Sequence, residues 1–130
     1  MEKNFITAGL TFITLGILIG AFAAHGLEEA GIAEEKQKSF QVAIRYLFYN
    51  GIGMLAIAAL RAQFDFTLKF NFRALFFGTI FFSGSIFALV LLPLMDINLT
   101  AFLAPITPLG GVLMAAGWAT LLVKYIRAIN

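Results

Sequence analysis

The chain is 130 residues long, 61% hydrophobic and 12% charged, with a net charge of +2, no cysteine and a mean hydropathy of +0.92. A soluble domain of that size exposes too much surface to stay dispersed with so few charges, and the missing cysteines exclude disulfides, thiolate-ligated zinc and thiol catalysis. The sequence pI near 9.2 reflects few ionisable groups rather than a basic recognition stripe, so nucleic acid is not an expected partner.

Four stretches carry almost no Lys, Arg, Asp or Glu: residues 5–24, 46–60, 74–95 and 109–123. Each, with its flanks, is about long enough to cross a hydrocarbon core of roughly 30 Å as a helix. The expected fold is one all-α integral membrane domain over residues 1–130, with four transmembrane helices at about 5–24, 44–62, 74–94 and 108–126. Short loops make consecutive spans antiparallel neighbours, which gives an up-down bundle with the lipid bilayer as its first partner. Small residues are expected to turn inward, and the many Phe and Leu toward lipid.

The first span ends on Ala21-Phe22-Ala23, which looks like a signal-peptide cleavage site. Glu2 offsets Lys3, however, and the apolar run exceeds a usual signal-peptide core, so the span is expected to stay in place. In the following loop, residues 25–39, Gly26 and Gly31 are expected to break the helix. From about Ala33 the pattern is helical again. Its amphipathic first part, residues 34–42, lies near the surface and flows into span two, where Tyr46 and Tyr49 suit an interfacial belt.

Residues 61–73 alternate Phe and Leu with polar residues. Period two suggests a strand in water, but an isolated strand leaves its backbone unpaired in lipid. The expected form is an extended or turning segment lying on the membrane with its Phe dipped in, or else a short hairpin. Span three ends near Pro93, Pro105 and Pro108 flank the entry to span four, and Lys124 and Arg127 anchor its far end. Six cations (Lys3, Arg61, Lys69, Arg73, Lys124 and Arg127) fall on one side, against Lys36, Lys38 and at most Arg45 on the other. The positive-inside rule then places both termini in the cytoplasm and the chain in the cell membrane.

Apolar contact drives no association between helices inside lipid, so close approach over small residues and polar contacts must hold them together. The candidate packing positions are Gly16, Gly20, Gly84, Gly110, Gly111 and Gly117, with further glycines at Gly9, Gly51, Gly53 and Gly78. Packing within the chain is expected first; self-association or a membrane-protein partner stays open. Polar residues in the spans are His25, Arg45, Asn50, Ser83, Ser85 and Thr107. Antiparallel order brings them together as one expected polar cluster near the outer mouth of the bundle. It would serve as a binding or proton-sensitive site around a histidine. Alternatively, His25 caps a helix end, Arg45 snorkels and the serines bond to their own backbone. One histidine without a carboxylate beside it makes a poor metal or catalytic site, so no cofactor, metal or enzyme activity is expected. The span interiors hold no Asp or Glu, which argues against a small proton-coupled exporter.

Three motifs together resemble a known family. Gly20-Ala21-Phe22-Ala23-Ala24-His25-Gly26-Leu27 is similar to a GAFGAHGL signature, Phe82-Ser83-Gly84-Ser85-Ile86-Phe87 to FSGSLY, and Thr107-Pro108-Leu109-Gly110-Gly111 with Gly117-Trp118 to TPIGG…GW. They are the marks of the YgdD/YwdK-like small membrane proteins, domain of unknown function 423. The resemblance spans nearly the whole chain and implies four spans and an uncleaved first one, but no activity. His25, Ser83, Ser85, Gly110 and Gly111 carry over as structural or binding positions without assigned chemistry. Ala23 stands for a Gly, Phe87 for a Tyr, and Leu47 and Asn50 for the Gln and His of a YQxxH-like stretch beginning at Tyr46. The role expected is a non-enzymatic structural or accessory membrane protein. The alternative is a small transporter or lipid- or solute-binding protein using the outer polar cluster.

Overall fold

In hydrocarbon a backbone must satisfy its own N–H and C=O groups, and a helix does so within one segment. A computed structural model describes all 130 residues and is helical almost throughout. The helices are α1 (Glu2–Glu29), α2 (Glu34–Ala59), α3 (Lys69–Leu91), a single turn α4 (Thr100–Leu103) and α5 (Ile106–Ile129), with 3-10 turns at Arg61–Gln63 and Leu92–Met95. Four segments are long and apolar enough to cross a membrane: Glu2–Glu29, Glu34–Ala59, Lys69–Met95 and Thr100–Ile129. The all-helical membrane fold read from the sequence is therefore the fold observed.

Two boundaries differ from expectation. Gly26 does not break α1, which continues through His25 and Gly26 to Glu29. The helix stops at Gly31, whose φ of 76° few other residues adopt. There the Gly31 N–H donates to the Glu28 carbonyl at 3.0 Å and the Ile32 N–H to the Leu27 carbonyl at 3.1 Å. Ile32 packs back on the cluster that holds Leu27, as a Schellman stop requires. Two acids, Glu34 and Glu35, then open α2, where the helix dipole favours them.

The second difference lies in residues 61–73: residues 61–68 do form a turning, non-helical segment, but no hairpin forms and the rest is already helix. After the 3-10 turn, α3 begins at Lys69, so Phe70 to Arg73 are already helical. Leu68 is buried, Phe64 and Phe66 pack on the core, and Phe72 turns inward to meet Phe5 edge-on at 5.2 Å. The apparent period of two came from a composition rich in Phe, not from a strand.

α1 packs along α2, and α3 along α5, as two close antiparallel hairpins; α2 and α3 join them through a smaller contact. Neither α1 nor α2 packs along the length of α5. Each hairpin crosses glycine on glycine. A Cβ on Gly9 would stand 2.7 Å from the Gly51 carbonyl oxygen, and one on Gly110 would stand 2.7 Å from that of Gly78. Gly16 rests on the Phe48 ring and Gly117 on Leu75. The other expected packing positions are looser: Gly84 meets nothing within 4 Å, and Gly20 and Gly111 have only ordinary contacts at 3.7–3.9 Å.

Nor do the Phe residues all turn to lipid. Phe5, Phe12 and Phe40 are core residues, and Phe72, Phe76 and Phe87 pack against the core. With glycine at the close crossings, the remaining gaps between backbones are wide, and flat rings fill them at a separation helices otherwise could not bridge.

Candidate functional site

An uncompensated polar group is costly in hydrocarbon, so each buried one needs a partner within the protein. The buried polar residues are Asn50, Asn71, Thr79, Ser83 and Ser85, and no buried side-chain nitrogen or oxygen lacks a hydrogen bond. Their partners fall in three places along the bundle rather than in one.

Toward the end opposite the termini, the Ser85 hydroxyl shares a hydrogen bond with Thr107 on α5 and donates to the Phe82 carbonyl. Ser83, on the next face of α3, donates 2.8 Å to the Ala43 carbonyl of α2. One short segment of α3 thus ties both neighbouring helices. Pro105 and Pro108, which need no N–H partner, occupy the open first turn of α5 on either side of Thr107.

Deeper in, Asn50 occupies the seam between α2 and α5. Its amide donates to the Tyr46 carbonyl at 3.0 Å and to the Met114 sulfur at 3.0 Å, and its oxygen accepts the Trp118 indole N–H at 2.9 Å. A recess of about 270 Å³ opens beside it, lined by Tyr46, Tyr49, Phe82, Met114 and Trp118 among others. The edge of the Trp118 ring abuts Gly53, where a Cβ would stand 2.5 Å from its nearest carbons.

At the end that carries the termini, Asn71 is fully buried on the first turn of α3. Its amide donates to the Gly117 carbonyl at 2.8 Å and to Thr120 at 2.9 Å, and its oxygen accepts Lys124 Nζ at 2.9 Å. Lys124 also donates to the Thr67 carbonyl at 3.0 Å and stands 5.8 Å from the centre of the Phe66 ring. Assigning residues 61–73 to a surface segment hid this network. The signal was present: Asn71, Leu75, Gly78, Ser83, Ile86 and Val90 trace one helical face that runs back past Ala74.

The single outer polar cluster is thus corrected. His25 and Arg45 are exposed and make no hydrogen bond or ion pair, and His25 stands inside α1 rather than capping it. On α1 the buried face runs through Phe5, Phe12, Gly16, Ala23 and Leu27, and His25 lies off it. Ser85 and Thr107 do meet each other, whereas Asn50 and Ser83 are engaged in separate contacts. Chemically the arrangement joins helices: Ser83 donates to a main-chain carbonyl of α2, Ser85 meets the Thr107 hydroxyl of α5, and the Asn50 amide spends both its hydrogens.

These observations define a four-span helical membrane protein whose buried polar groups link span to span. The chain belongs to the family described as protein of unknown function DUF423, whose model matches residues 19–111. It is 33% identical to a UPF0382 membrane protein of Staphylococcus epidermidis over 96% of this chain and 97% of the relative. It is 35% identical to the UPF0382 inner membrane protein YgdD of Escherichia coli, over 92% of this chain and 84% of that one. A UPF0382 membrane protein of Schizosaccharomyces pombe is 34% identical over 84% of this chain and 90% of its own length. No solved structure matches the chain.

Proposed function

We propose that this protein is a non-enzymatic accessory component of the cell membrane, with both termini in the cytoplasm, acting through its lipid-facing sides on another membrane protein or a second copy. The observation that carries the reading is where the buried polar side chains direct their hydrogen bonds. Asn50, Asn71, Ser83 and Ser85 each bond to a neighbouring helix. A transport path needs polar groups that exchange partners with a passing solute. The orientation rests on the six cations at the terminal end against two or three at the other.

Proteoliposomes holding the purified protein, loaded with a pH-sensitive dye, test the role. After an imposed pH gradient, decay is expected to match that of empty vesicles. A faster decay that Asn50→Ala abolishes would replace this reading with a transporter. Green fluorescent protein fused to either terminus should fluoresce, and periplasmic alkaline phosphatase fused there should be inactive.

A further inference from the structure

We propose that the recess between α1 and α3, at the terminal end of the bundle, binds an anionic glycerophospholipid of the adjacent leaflet. Its phosphate meets Lys69 and Arg73, and an acyl chain follows Phe76 and Phe77 into the hydrocarbon.

The recess exists because α1 and α3 approach through rings rather than backbones. Phe5 meets Phe72 at 5.2 Å and Phe12 stacks on Phe76 at 5.7 Å, which holds the two helices apart. Outside those rings a hollow of about 690 Å³ remains. Its mouth carries Lys69, Arg73 and Asn4; its depth carries Thr7, Thr11, Phe76 and Phe77. From Lys69 to Phe77 is eight residues of helix, about 12 Å at 1.5 Å per residue. That is most of the hydrocarbon depth of one leaflet, half of a core of roughly 30 Å.

Charge selects the occupant. Lys69 and Arg73 are exposed, and neither side chain has a hydrogen bond or an acidic partner; the one ion pair of the chain, Lys38 with Glu34, belongs to the α2 start, at the opposite end. The facing first turn of α1 offers one acid, Glu2, which does not line the hollow. A zwitterionic lipid brings its own cation to such a mouth, whereas an anionic one does not. A soluble anion satisfies the two cations but leaves the apolar depth unused. The site lies at the opposite end from Ser85 and Thr107 and needs no assumption about which compartment it faces.

The full-length protein in a neutral detergent is titrated with dioleoyl phosphatidylglycerol, dioleoyl phosphatidylcholine and inorganic phosphate, with binding read by native mass spectrometry and thermal unfolding. Phosphatidylglycerol is expected to bind and to raise the unfolding temperature; phosphatidylcholine binds more weakly, and phosphate alone does neither. A cation near the headgroups contributes about a factor of five. K69Q and R73Q should therefore each weaken phosphatidylglycerol about fivefold, and the double variant roughly 25-fold. Thr11→Phe, which fills the depth and keeps both cations, should weaken it too. R127Q, which removes an exposed cation outside the recess at the same end, should leave it unchanged. Equal binding of the two lipids, full binding by the double variant, an R127Q loss matching that of K69Q, or saturation by phosphate alone each overturns the proposal.

Discussion

Asn71 carries more of the polar linkage than any residue singled out by its type alone. Three hydrogen bonds converge on its carboxamide, from α3 to α5. Inter-helix hydrogen bonds in membranes average about 0.6 kcal/mol and reach about 1.7. Asn71→Leu, of similar volume, loses all three and strips Lys124 of one acceptor, so a destabilisation of about 2–3 kcal/mol is expected in denaturant titrations in micelles. His25→Ala and Arg45→Leu should change stability by less than about 0.5 kcal/mol, because both side chains are exposed and unbonded. A His25→Ala loss equal to that of Asn71→Leu would contradict the contacts described. Residue type made His25 and Arg45 conspicuous in the sequence, but type does not report which face a side chain occupies. For Asn50, Ser83, Ser85 and Thr107 burial or engagement was legible from their depth in the spans. Their partners were not, because register between helices is set by packing and not by spacing along one chain.

The helices themselves were largely written in the charge pattern, since a span's length and its flanking cations follow from bilayer thickness. Their ends were less legible. Gly26 and Gly31 look alike in sequence, each followed by an apolar residue, yet only Gly31 takes a left-handed φ of 76°, which lets Ile32 pack back on the cluster around Leu27. Small-residue spacing likewise marks a face without saying what covers it. Gly84 lies open, whereas a Cβ on Gly110 would clash with the backbone of Phe82 and with the Gly78 carbonyl. Backbone cannot step aside as a flexible side chain can. Gly110→Ala is therefore expected to separate α3 from α5 at a cost of at least about 2 kcal/mol. Gly84→Ala should be neutral or slightly stabilising, since alanine is the better helix former by up to about 1 kcal/mol. Thermal unfolding of the two variants side by side distinguishes them, and equal losses would rule out the glycine crossing.

At the scale of the molecule, two hairpins share the interface of α2 with α3, and this pairing was only partly legible. Short loops predict antiparallel neighbours, but nothing in one sequence ranks one neighbouring contact above another. The native chain holds no cysteine, so introduced pairs report without background. Gly20→Cys with Ile44→Cys should oxidise readily, because a Cβ at Gly20 stands 3.8 Å from Ile44 Cγ2. Leu18→Cys with Leu122→Cys should not, since both side chains are exposed and α1 does not pack along α5. Gel mobility under non-reducing conditions reads the outcome, and efficient oxidation of the second pair would require a different helix order.

Trp118 is the only indole in the sequence, and it sits where α2 meets α5, bonded to Asn50 and with its ring edge against Gly53. The protein thus carries a built-in optical probe at a seam its backbones do not close. Emission colour and quenching by brominated lipids will follow any parting of the two hairpins, without a label and in native bilayers.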